Sequence, residues 1–237
     1  MRMMSSMLSR LMSAQQPLNR RRLAARHDAI VLIGEQVEPL AQAYLAQNTN
    51  LPVYCITPQP QPSEQHLQQV VYLHADATHP DAVLAALGQI KQHGHRASLV
   101  IFQPAAPLEQ QTLSVSANSM IEQWQHSVRR LFLWTQGLIT ESLLGAERPL
   151  TVLVVGSSLA HRPTTPYSAS SALFAGMRAL AQSVSREFQP QGLHMVYMGL
   201  SEQPEPDALA RLCWQLHVQP HSAWTQEIDT IKSACSI

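Results

Sequence analysis

Six short apolar runs punctuate the chain, and no other feature constrains its fold as strongly. They are AIVLIG (29–34), LPVYCIT (51–57), VVYLHAD (70–76), ASLVIFQ (97–103), LTVLVVG (150–156) and LHMVYMGL (193–200). Continuous rather than alternating apolar character is what a strand needs when both faces of its sheet are covered, as in a parallel sheet. The intervals carry a helical period. VEPLAQAYLAQ puts Leu40 and Tyr44 on one face, and PDAVLAALGQIKQHG closes at Gly94. SANSMIEQWQHSVRRLFLWTQGLITESLL reads as one long helical stretch, and Leu173, Met177, Leu180, Val184 and Phe188 recur every three or four residues. Strands alternating with helices predict an α/β fold: a doubly wound, Rossmann-like parallel sheet of about seven strands in a single domain.

That domain is expected over residues 28–237. Residues 1–27 hold Arg2, Arg10, Arg20, Arg21, Arg22 and Arg26 with no acid, so the rest of the chain carries 10 basic and 16 acidic residues. Such a Met-, Ser- and Arg-rich segment is expected to be a disordered arm; the same composition would also suit a mitochondrial presequence. The corresponding localisation is the cytoplasm, or the mitochondrial matrix if the arm is a presequence. No stretch approaches the roughly 18 apolar residues of a membrane span. Cys55, Cys213 and Cys235 are far apart and in no metal-like spacing, so inert thiols in a reducing compartment and no metal site are expected. The arm lacks the aromatic interleaving of a nucleic-acid interface, and no such partner is expected. Charged residues make up only 14% of the chain, against about 25% in an average protein, a shortfall consistent with a surface covered by a partner.

Two segments carry a family resemblance. RALAQSVSREFQPQGLHMVYM (178–198) and PDALARLCWQLHVQPHSAWTQEID (206–229) resemble a helix-to-strand segment and the C-terminal segment of the short-chain dehydrogenase/reductase family. The second is similar to an atypical subgroup whose glycine-rich and active-site motifs are incomplete. The resemblance implies NAD(P) as cofactor and a nucleotide loop of the form T-G-x-x-x-G-x-G, whose glycines bring backbone N–H groups to the diphosphate at a helix N-terminus. The matching segment here is IGEQVEPL. Gly34 fills the first glycine slot, whereas Glu38 and Leu40 fill the other two. A carboxylate would stand where the diphosphate must sit, and a branched side chain in its path. YCITPQPQP offers neither the acid nor the arginine expected after the second strand, and the family's N-N-A-G becomes FQPA (102–105). Asp76 alone matches the aspartate that meets the adenine ring, and a turn or helix cap is the plainer reading of it.

The same resemblance implies a catalytic tyrosine whose pKa of about 10 is lowered by a lysine four residues on, a serine thirteen residues earlier, and an asparagine on the preceding helix. Two registers are open. Reading YSASS directly gives Tyr167 with Ser171 in the lysine slot. Anchoring on RALAQS puts Ser170 in the tyrosine slot and Phe174 in the lysine slot, with Ser157 thirteen residues before Ser170. The asparagine slot falls on Ser127, and Arg130 stands where the family has a glycine. In both registers the lysine is gone, since Lys91 and Lys232 are the only lysines in the chain. LSEQPEP leads straight into the last helix, without room for a substrate lid.

Other chemistries fare worse. Ser157, Ser158 and His161 in VGSSLAH lack a nucleophile elbow, and HGH (93–95) reads as a helix end. The expectation is a pseudoenzyme, without NAD(P) or oxidoreductase activity, acting as a homo-oligomer or as the silent partner of an active relative. Helix 170–188 and a strand at 222–229 would carry the contacts. Trp124, Phe132 and Trp134 on the neighbouring helix are of a kind more often found in the core, and the family's helix pairing would make some of them both core and contact. The alternative is a divergent oxidoreductase that keeps NAD(P) and uses Tyr167 with Ser157 or Ser158.

Overall fold

The computed structural model describes residues 27–47, 50–58, 70–142, 144–145 and 147–230. The arm at 1–26 and Cys235 lie outside them. The elements run β1 (Asp28–Gly34), α1 (Glu38–Ala46), β2 (Val53–Thr57), β3 (Val70–His74), α2 (Pro80–Gln92) and β4 (Arg96–Gln103). They continue with α3 (Ala117–Trp124), α4 (Arg130–Glu141), β5 (Leu150–Ser157), α5 (Ser168–Phe188), β6 (Leu193–Leu200), α6 (Pro206–His217) and β7 (Glu227–Asp229). The strands form one parallel sheet in the order β3-β2-β1-β4-β5-β6-β7. The chain reverses its direction of travel between β1 and β4, and the crevice above their C-terminal ends is where open α/β sheets place ligands.

Successive strand residues face opposite layers, which is why the runs had to be apolar throughout. On one face Val31, Ile33, Val100, Phe102, Val152 and Tyr197 pack under α2, α4 and α5 through Leu87, Trp134, Phe174 and Met177. On the other, Ile30, Leu32, Leu99, Ile101, Val196 and Met198 pack under α1 and α6 through Leu40, Tyr44, Leu209 and Cys213. Burial lifts the pKa of the Cys55 and Cys213 thiols to about 12, so both are unreactive near neutrality.

The long helical stretch is borne out: α3, a π turn over Gln125–Arg129 and α4 follow one another as uninterrupted helical backbone from Ala117 to Glu141. Two expectations are corrected. β3 stops at His74, because the Asp76 carboxylate turns the chain by accepting from the N–H and the hydroxyl of Thr78. The strand expected at 222–229 is confined to Glu227–Asp229, since His221–Ala223 form a 3-10 turn after Pro220. Gly94, at φ +78°, closes α2 as expected of HGH.

Candidate functional site

The crevice over β1 and β4 is built from the loops that follow the strands. Gly34 ends β1 against Gln103; a Cβ there would lie 2.6 Å from the Gln103 carbonyl oxygen, so only glycine fits. Glu38 opens α1. Its negative charge lies at the positive end of the helix dipole, the position that attracts a phosphate elsewhere. Its Oε1 is buried without a hydrogen-bond partner among the described residues. Leu40 corrects the expectation that it projects into the diphosphate path: it is 2% exposed and packs inward with Val37 and Tyr44.

Asp76 sits across the crevice, its carboxyl held below the usual range first by the Thr78 N–H and then by the Thr78 hydroxyl. Between the two loops comes Arg130, 5% exposed at the start of α4. Its Nη1 stands 3.8 Å from Glu35 Oε1, and its Nε has no hydrogen-bond acceptor among the described residues. Burial pulls the pKa of Arg130 down, and Glu35 and Asp76 oppose that pull. Arg129 ties α4 to the same loop by donating from Nη1 to the Thr78 carbonyl at 2.6 Å.

Most of the residues matched to the catalytic slots are engaged in structural contacts. Ser127 lies in the π turn and donates to the Gln123 carbonyl at 2.6 Å. Ser157 Oγ accepts from the Leu159 N–H at 3.2 Å, capping the 3-10 turn at Ser158–Ala160. Ser170 is 3% exposed; its Oγ accepts from the Leu108 N–H at 2.9 Å and donates to the Leu108 carbonyl at 3.1 Å. Phe174, 5% exposed, is part of the core. In the other register Tyr167 is half-buried at the N-cap of α5, and the Ser171 hydroxyl is buried without a partner among the described residues. The segment after β4 is strapped down further by Gln110 N–H to the Pro166 carbonyl at 2.9 Å and by Thr112 to Ser168 through their hydroxyls at 2.8 Å.

Sequence reasoning missed a polar hub beside these slots. Arg178 of α5 grips the Glu227 carboxylate of β7 with Nε at 2.7 Å and Nη2 at 3.0 Å. Gln182 and His161 also bond to that carboxylate. Burial pushes the Glu227 pKa up, but the bonds from Arg178, His161 and Gln182 outweigh it and hold it below the usual range. Arg162 donates to Asp229 Oδ1 at 2.7 Å. Beneath, Tyr197 exchanges bonds with the Ser157 carbonyl (2.9 Å) and N–H (3.1 Å). Glu227 and Arg178 are 49 residues apart, so no local motif could have announced the hub. A second missed cluster lies at the turn from α2 into β4, where the buried Tyr54 hydroxyl of β2 contacts His95 Nδ1 at 2.7 Å and His93 Nδ1 at 3.1 Å. Among the described residues no three His, Cys, Asp or Glu side chains converge as metal ligands, and no helix is long and apolar enough to cross a membrane.

No family model matches the chain, and no curated protein matches it. Solved structures do. A short-chain dehydrogenase from Rhodopseudomonas palustris is 22% identical, with TM-score 0.73 over 87% of this chain and 99% of that one. The 3-ketoacyl-(acyl-carrier-protein) reductase from Brucella melitensis, complexed with NADH, is 15% identical, with TM-score 0.72 over 85% and 96%. An NADPH-bound short-chain oxidoreductase from Pseudomonas aeruginosa PAO1, containing an atypical catalytic center, is 15% identical, with TM-score 0.71 over 89% and 98%. The chain therefore has the short-chain dehydrogenase/reductase fold.

Proposed function

We propose that this chain is a non-catalytic subunit: a dehydrogenase fold that has given up dinucleotide binding and hydride transfer and acts through assembly, as a homo-oligomer or as the silent partner of an active short-chain dehydrogenase. The observation that carries the reading is Ser170. In the register favoured by the thirteen-residue spacing to Ser157, its hydroxyl is consumed by both backbone groups of Leu108, and the lysine slot four residues on is the core residue Phe174. A general acid must reach the proton it transfers. Neither position reaches a substrate.

The residues in the crevice do not fit a dinucleotide. Glu38 supplies from the chain itself the negative charge that the α1 N-terminus would otherwise draw from a diphosphate. Arg130 sets a guanidinium between the loops after β1 and β3, where the family has a glycine.

Assembly is supported by the outer face of α3, α4 and α5. Ile121 (55% exposed), Trp124 (43%) and Phe132 (48%) stand out on α3 and α4. Trp124 lies against Gly176, where a Cβ would sit 3.2 Å from its ring. Ala172, Ala175 and Ala179 are exposed alongside on α5. Trp134, by contrast, is 1% exposed and belongs to the core. Large apolar side chains grouped on one exposed face mark contact surfaces. Light scattering on the eluting full chain, alone and mixed with an active short-chain dehydrogenase of the same cell, is the test. A dimer, larger oligomer or mixed complex is expected; a monomer under both conditions contradicts the reading.

The alternative, a divergent oxidoreductase using Tyr167 with Ser157 or Ser158, draws support from the Pseudomonas aeruginosa structure, which is NADPH-bound and contains an atypical catalytic center. It requires Tyr167 to act without a neighbouring lysine and Ser157 to release the Leu159 N–H.

A further inference from the structure

A guanidinium that is taken out of water needs acceptors for its N–H groups, and its planar fork matches a carboxylate or phosphate. Arg130 is not so supplied. It is 5% exposed, its Nε is buried without an acceptor among the described residues, and its nearest acid, Glu35, stands 3.8 Å from Nη1, beyond hydrogen-bonding distance. Glu35 is itself 55% exposed, so it can leave without opening the fold. The guanidinium lies between the loops after β1 and β3, with Glu35 and Asp76 as the acids beside it.

We infer that Arg130 is the anchor of a small-anion site in this crevice, and that its ligand is a monocarboxylate which takes the fork of the guanidinium while Glu35 swings out to solvent. The charge at the site selects the class. The Arg130 guanidinium has two carboxylates beside it, Glu35 and Asp76, of which Asp76 is fixed by Thr78, while the neighbouring Arg129 guanidinium is engaged by the Thr78 carbonyl. A single negative charge replaces Glu35 without adding to the total, whereas a phosphate dianion or a diphosphate raises it. A planar carboxylate also matches the two parallel N–H donors of the fork. The inference rests on the reading that the crevice no longer takes a dinucleotide, and it adds the chemistry that the crevice takes instead.

The test follows the melting temperature and the Arg130 Nε–H resonance of the full chain on addition of sodium acetate or sodium propionate, with sodium chloride at equal ionic strength as reference and inorganic phosphate and NADH as separate arms. Acetate or propionate is expected to raise the melting temperature and shift the resonance saturably, with chloride doing neither. Glu35→Gln removes the competing acid at an exposed position and should tighten binding by up to about fivefold, the worth of one exposed ion pair. Arg130→Met, a change of similar volume that buried cations tolerate, should abolish the response. No response to either carboxylate in the parent or in Glu35→Gln, an unchanged melting response in Arg130→Met, or a stronger response to phosphate than to carboxylate overturns the site. Binding of NADH with the carboxylate response intact counts against the lost-cofactor reading instead.

Discussion

Ser170 and Leu108 exchange two hydrogen bonds, at 2.9 Å from the Leu108 N–H and at 3.1 Å to its carbonyl, across 62 residues of chain. A side chain in the position the resemblance gives to the general acid thus holds the segment after β4 onto the start of α5. The cap on Leu159 by Ser157 and the bond from Ser127 to Gln123 serve local structure in the same manner.

Replacing Ser170 by Ala leaves the Leu108 N–H and carbonyl without this partner. A loss of about 1–3 kcal/mol is expected, read as a drop in melting temperature with faster hydrogen exchange at Leu108 and Gln110. An unchanged exchange rate at Leu108 would show that the clamp carries no weight.

The Glu227 hub sets an acid limit. Its carboxyl is held below the ordinary range, so the folded chain takes up this proton at lower pH than the unfolded chain. The stability it contributes is complete above the unfolded pKa of about 4.3 and is lost as pH falls through the folded value. Melting curves from neutral to acid pH should therefore fall more steeply for the parent than for Glu227→Gln. Parallel curves would place the acid sensitivity elsewhere.

Gly156 lies under the Tyr197 ring, where a Cβ would come within 2.2 Å of Cζ. Both partners are pinned, because Tyr197 bonds to Ser157 on the next residue. Gly156→Ala is expected to cost about 3 kcal/mol or more. In a Tyr197→Leu background the same change should cost less, by about 1–3 kcal/mol of coupling. Equal costs in both backgrounds, measured by denaturant unfolding, would contradict the contact.

The exposed face of α3 and α4 predicts a separation of assembly from folding. Ile121→Asp and Phe132→Asp change residues that are 55% and 48% exposed, so the stability of the isolated subunit should move by only about 0.5 kcal/mol. The oligomer should nevertheless dissociate, as read by light scattering. An intact oligomer in both variants would place the interface elsewhere.

The sheet was legible because burial on both faces leaves its strands no polar positions, and the runs at 29–34 and 193–200 come within a residue of β1 and β6. The π turn at Gln125–Arg129 was not, since it leaves the helix continuous and the spacing of Met120, Trp124 and Phe132 nearly intact. The charged clusters were hidden for a different reason. Arg130 shows in the sequence only as a residue where the family has a glycine, and only the packing of α4 over the loop at Thr78 reveals its burial. His161, Arg178 and Glu227 meet through β6–β7 pairing, a contact between distant segments with no periodicity to betray it. Leu40 was read as an obstruction because a motif slot says which residue is present, not which way it points.

Calorimetric titration of the full chain with NADH and with NADPH, to millimolar nucleotide, tests the central claim most directly. No saturable heat and no rise in melting temperature are predicted for either. Saturable binding, which at 100 times Kd would add about 2.7 kcal/mol of stability, would contradict it.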